Sequence, residues 1–280
     1  MLDVLLDSLL DTIKILPYLF ITFIILEFLE HRLSRKNEQI LSKNKKYGVI
    51  LGSLLGGLPQ CGFSTMASSL FSSKVITMGT LIAVFLSTSD EMLPIMISEK
   101  VNLSVVLKII GFKVIIGMIV GFIVDLIYNS KEKKTTSNIH DMCEHEHCSC
   151  DKEGILLSSI KHTLKISLFI LIANIIIGVA IFEIGEENLS HLLLNKNIIT
   201  YFIASIIGLI PNCASSVIIT ELYLSNIITI GTLFSGLLTG SGLGILLLFK
   251  NNKNMKENIL VLSIIYFVGV IVGIIMDLVL

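Results

Sequence analysis

Tryptophan is absent from this 280-residue chain, and charged residues make up only 15% of it. A soluble domain carries about 25% charged residues, so the shortage excludes an ordinary water-facing surface. The formal net charge of −1 leaves no broad basic field for nucleic acid. No GxxxxGK[ST] run occurs, and no large polar stretch could house an ATP-hydrolysing domain. An ion gradient, or the substrate's own gradient, must then drive any transport. A basic leader is missing too. MLDVLLDSLLD carries acids there, so the segment is expected to be retained rather than cleaved. The five cysteines are distributed unlike an extracellular disulfide framework. What is present is apolar: 53% hydrophobic residues and a mean hydropathy of +0.86. The class is an integral membrane protein in a lipid bilayer, and no organic cofactor is called for.

The chain is written twice. Gly57 to Pro94 reads GLPQCGFSTMASSLFSSKVITMGTLIAVFLSTSDEMLP, and 152 positions later Leu209 to Leu246 reads LIPNCASSVIITELYLSNIITIGTLFSGLLTGSGLGIL. Pro59 and Cys61 fall on Pro211 and Cys213, Ser64 on Ser216, and Ser89 on Ser241. The offset also carries Gly117, Gly121 and Asp125 onto Gly269, Gly273 and Asp277. In each copy an apolar segment is broken twice, first at Pro-x-Cys and then at a run of small or polar residues. Paired interrupted segments point to a transporter site at the repeat interface.

Loop charge gives the orientation. Residues 31–46 hold six Lys or Arg, which marks the cytoplasmic side, whereas the matching loop 183–197 is acidic. The short turn 98–102 is neutral, and its counterpart 250–257 carries Lys250, Lys253 and Lys256. The copies are therefore expected to be inverted. Inversion needs an odd number of crossings, which a re-entrant hairpin with Pro-x-Cys at its tip supplies. The expected architecture is all-α, with about five hydrophobic segments per copy. Residues 1–129 form the first membrane repeat, 130–153 a cytoplasmic linker, and 154–280 the second. Both termini are expected outside. The Gly-x-x-x-Gly pairs read as helix packing, and Asp125 and Asp277 as caps or packing pairs.

Candidate chemistry collects at the breaks. A half-helix starting at Cys61 or Cys213 aims its N-terminal dipole at the bilayer centre, which favours thiolate and soft-ion binding. Asp90 and Glu91 stand in the second break, where a carboxylate costs at least ~2.5 kcal/mol. That expense points to a cation or proton site. Lys113 occurs only in the first copy, and it could pair with one acid and leave the other free. The mirrored hydroxyls Ser64, Ser216, Ser89 and Ser241 complete the candidate metal set in the membrane. In the linker, HDMCEHEHCSCD places His140, Cys143, His145, His147, Cys148 and Cys150 among acids. That density of imidazole and thiol suits Zn²⁺ or Cu⁺ in a flexible binder.

GLPQCGFS, ITMGTLIAVFLSTSDEMLPI, GLIPNCASS and the His-rich loop together resemble the ten-transmembrane heavy-metal exporter family. Its members carry the labels arsenic efflux protein or manganese transporter. The resemblance implies efflux across the bacterial inner membrane, with a metal ion or metalloid as cargo. Acids favour manganese, and thiols favour arsenite. Two rivals stand beside it. One is an organic-anion carrier held by the paired half-helix N-termini, with a metal-sensing loop. The other is an intramembrane enzyme using Asp90 and Glu91, which adjacent acids on one segment disfavour.

Overall fold

The computed structural model describes residues 45–58, 61–89, 92–129, 155–184 and 198–279, with scattered helical positions between 8 and 24. Pro59, Asp90, Glu91, most of the basic loop 31–46, most of the acidic loop 183–197 and the whole His/Cys linker lie outside the described residues. Among the described residues all regular structure is helical. In chain order the helices are α1 (Lys45–Gly56), α2 (Cys61–Ser72), α3 (Met78–Ser87), α4 (Met92–Ser98) and α5 (Leu103–Asn129). There follow α6 (Ile155–Ile184), α7 (Ile198–Gly208), α8 (Cys213–Leu224), α9 (Ile230–Thr239), α10 (Gly244–Asn251) and α11 (Met255–Val279). Shifting α2 and α3 by 152 residues lands on the limits of α8 and α9. The two copies therefore repeat in structure as they do in sequence.

The local reasons for the helix ends repeat as well. Thr77 and Thr229 are N-caps in extended backbone, each accepting from the amide of Thr80 or Thr232. Hydroxyl N-caps of this kind satisfy amides that a helix start leaves without partners. Two residues past α2, Lys74 takes φ 58°, and two past α8, Asn226 takes φ 59°. The following amides of Val75 and Ile227 reach back to Leu70 O at 2.9 Å and Leu222 O at 3.0 Å. This is the left-handed closure that reverses a chain after a helix.

Close contacts give the helix directions. Gly48 lies against Thr80, Gly52 against Thr80 and Val84, and Gly56 against Val84 and Ser87. So α1 and α3 run side by side in the same sense. Gly121 meets Gly79, and Gly117 meets Ala83, so α5 runs back against α3. A Cβ on Gly79 would strike the Gly121 carbonyl, and one on Gly231 the Gly273 carbonyl. The Gly-x-x-x-Gly spacing therefore does what small residues do between membrane helices.

Four spans are long and apolar enough to cross a membrane among the described residues: Met78–Ser98, Leu103–Tyr128, Ile230–Asn251 and Met255–Val279. The broken spans are central, 75% and 83% buried, while the unbroken ones are only 28% and 33% buried. The unbroken helices turn Ile115, Ile119, Ile123, Phe267, Ile271 and Ile275 outward. In water such a face would be costly, but against lipid tails it is the expected exterior. Between the copies the packing is reciprocal: α2 lies on α10, and α8 lies on α4.

Candidate functional site

Three of the four breaks converge on one small polar cavity. The end of α3 contributes Thr88 and Ser89, and α5 contributes Lys113. The start of α8 contributes Asn212, Ser215 and Ser216, and the end of α9 contributes Leu237, Gly240 and Gly242. Each wall has a backbone cause. At Pro211 the ring denies the chain a helical amide. Asn212, in extended backbone, then caps α8 by accepting from the Ala214 amide at 3.0 Å. Ser215 Oγ donates back to Asn212 O at 2.9 Å. The α8 N-terminus, with its positive dipole end, thus borders the cavity. On the opposite wall, Gly242 adopts φ 52°, a conformation glycine takes freely, and this lets the chain re-enter α10.

Lys113 is fully buried. Its ammonium donates to Thr88 O and, at 2.8 Å, to Leu237 O. Those carbonyls sit at the C-terminal ends of α3 and α9, where peptide dipoles are negative and acceptors lack helical donors. A lysine here is held by two broken helices, one from each copy. The alternative pairing with Asp90 or Glu91 falls outside the described residues.

The other sequence candidates distribute as follows. Ser89 and Ser216 line the cavity. Ser241 is buried between the two lining glycines, its hydroxyl toward Thr239 O at 3.5 Å. Ser64 is buried under Gly244 rather than in the cavity. One turn on, Ser68 Oγ donates to Gly244 O at 2.7 Å, tying α2 to α10. Cys61 and Cys213 open α2 and α8, but their side chains lie outside the described set. Asp90 and Glu91 follow Ser89 directly in the chain. His140, Cys143, His145, His147, Cys148 and Cys150 are likewise outside it. Among the described residues no group of three or more His, Cys, Asp or Glu comes together.

Asp125 and Asp277 are caps. Asp125 accepts from Gly79 N at 2.9 Å and Thr77 Oγ1 at 2.7 Å, which anchors the start of α3. Asp277 accepts from Gly231 N at 2.7 Å, from Thr229 Oγ1 and from Tyr201 Oη at 2.7 Å. A carboxylate at a helix N-terminus, with charge-assisted hydrogen bonds, is favourable even at low polarity. Asn212, Thr77 and Thr229 stand outside the candidates named from sequence. Their signal was present, because each is a short polar residue directly ahead of an apolar run.

A family model described as "Putative, 10TM heavy-metal exporter" matches residues 1–202. Comparison with curated proteins and with solved structures gives no match. With more than half of its length matched, this chain, whose described residues form apolar and interrupted helices, belongs to that ten-transmembrane heavy-metal exporter family.

Proposed function

We propose that the chain is a secondary carrier, not an enzyme, which exports a heavy-metal ion through the central cavity. The observation that carries this reading is the convergence of three helix breaks around Ser89, Lys113 and Asn212. Backbone broken inside a bilayer is tolerated where it is buried in protein or lines a polar cavity. Carriers built from repeats place their sites where such broken helices meet. A proton is our candidate coupling ion.

For the cargo, a divalent cation of the manganese type is our first reading. The cavity wall is rich in oxygen, from Ser89, Asn212, Ser215 and Ser216, and two carboxylates follow Ser89. Hard ions prefer such donors. Lys113 favours a second reading, arsenite. An ammonium in the cavity wall repels a dication, whereas a neutral hydroxide of a metalloid escapes that repulsion, and Cys61 and Cys213 could supply thiolate. Resistance to Mn²⁺, Zn²⁺ and arsenite separates them in cells carrying the wild type or the Cys61→Ser, Cys213→Ser pair. Manganese resistance should persist in the double variant, because oxygen replaces sulfur at little loss to a hard ion. Protection against arsenite alone, lost in the double variant, would overturn the cation reading.

We also read the copies as inverted, with α1–α2 and α7–α8 as re-entrant hairpins. The shared direction of α1 and α3 supports the hairpin, since α2 has to return between them. Lys74, after α2, pairs with Glu257, at the start of α11, at 2.8 Å. The hairpin end of one copy thus sits level with the far end of the other copy's crossing, which suits opposed copies. With the basic loop 31–46 inside, residues 130–153 are cytoplasmic and both termini outside, in a bacterial inner membrane. There the linker would bind Zn²⁺ or Cu⁺ through its histidines and cysteines. Reporter fusions at the termini and at residue 140 read this orientation, and a cytoplasmic C-terminus would contradict it.

A further inference from the structure

Lys113 touches both copies, although only one copy encodes it. Two of its partners, Thr88 O and Leu237 O, belong to α3 and α9, and these two helices also touch one another. Beside it, Phe112 packs edge-on against Phe234 of α9, with ring centroids 6.4 Å apart. So this turn of α5 spans the boundary between the copies. Two half-helices that end close together in a membrane interior present like partial charges and unsatisfied carbonyls to each other. Water is the usual remedy, and it is scarce at that depth. A buried ammonium offers three donors and a full positive charge.

We infer that Lys113 is a clasp, a positioning residue that ties the C-terminal ends of α3 and α9 together and so fixes the width of the cavity. The inference rests on the cavity being the transport site. The repeat sharpens it. The 152-residue offset maps Lys113 onto Ile265, Thr88 onto Gly240, and Leu237 onto Phe85. Ile265 is fully buried, as Lys113 is. Gly240 caps α9 as Thr88 caps α3. A lysine at position 265 should therefore reach Gly240 O and Phe85 O and close the same two helix ends from the mirrored side. A lysine whose partner was a carboxylate of the first copy would have no such substitute, because Gly242 and Leu243 stand where Asp90 and Glu91 do.

The test is a relocation in the full-length protein. Lys113→Ile, Ile265→Lys and the two combined are assayed for melting temperature in detergent, and for export of Mn²⁺ and of arsenite from cells. Lys113→Ile should lower the melting temperature and reduce export roughly tenfold or more, the scale of losing hydrogen bonds to a charged donor. The combined variant should recover most of both. A combined variant that melts no higher than Lys113→Ile overturns the clasp, and the lysine then serves a partner on its own side. If Lys113→Ile melts early yet exports normally, the clasp stands and the cavity is not the transport site. Should the combined variant fail to insert, Lys113→Arg and Lys113→Met decide. Retention of both properties by arginine and loss by methionine supports the clasp, and equal behaviour overturns it.

Discussion

Neutralising Asp90 or Glu91, as Asp90→Asn or Glu91→Gln, is expected to abolish export while leaving the protein inserted and folded. The acids follow Ser89, which lines the cavity, and consecutive Cα atoms are only about 3.8 Å apart. They are thus within one or two residues of the cavity wall. A carboxylate in that setting costs at least ~2.5 kcal/mol on the permissive insertion scale, and the second copy does without it. Residues that merely orient a metal's ligands cost about 10–100-fold in affinity or activity when removed, so a direct ligand should cost more. The loss is expected to exceed about 100-fold in transport of the cargo ion. Metal efflux from loaded cells, normalised to protein in the membrane fraction, measures it. Normal export by both neutral variants would make the acids structural and move the site elsewhere.

Much of the fold was legible because its cause is local or periodic. The offset of 152 residues could be read from Pro-x-Cys and the ITMGTL and ITIGTL runs, and the helix limits recur at that spacing. Leu103–Asn129 and Met255–Val279 needed only length and uniform hydropathy. Asp125 and Asp277, read as caps or packing pairs, are caps, because a carboxylate one helix away can reach amides that a helix start leaves free.

What stayed hidden depends on contacts between the copies. Lys113 stood out as a cation without a counterpart in the second copy, but its bond to Leu237 O crosses 124 positions. No spacing rule connects two such residues. The same holds for Ser68 and Gly244, 176 positions apart, and for the Lys74–Glu257 pair. Ser64 shows where symmetry alone does not place a side chain. Symmetry made it the equal of Ser216, but only Ser216 lines the cavity. The limits of α2 and α3 recur unchanged in α8 and α9, yet among the described residues the copies bring unequal side chains to the centre.

The second large effect concerns the cavity itself. Ser216 sits one turn into α8 and forms part of its wall, so Ser216→Phe should fill the space with a ring while keeping the helix. Ser216→Ala keeps the volume open and removes one of several wall oxygens, so it should weaken export without abolishing it and serves as the control for the ring. The measurement that bears most directly on the account is the content of many elements in cells that carry no protein, the wild type, Ser216→Ala or Ser216→Phe. The wild type and Ser216→Ala are expected to lower the cellular content of one heavy metal or metalloid, with manganese first in line. Ser216→Phe, present in the membrane at equal amount, should leave that element as high as in cells without the protein. Equal depletion by Ser216→Phe and the wild type, or no element altered by the wild type at all, would contradict export through this cavity.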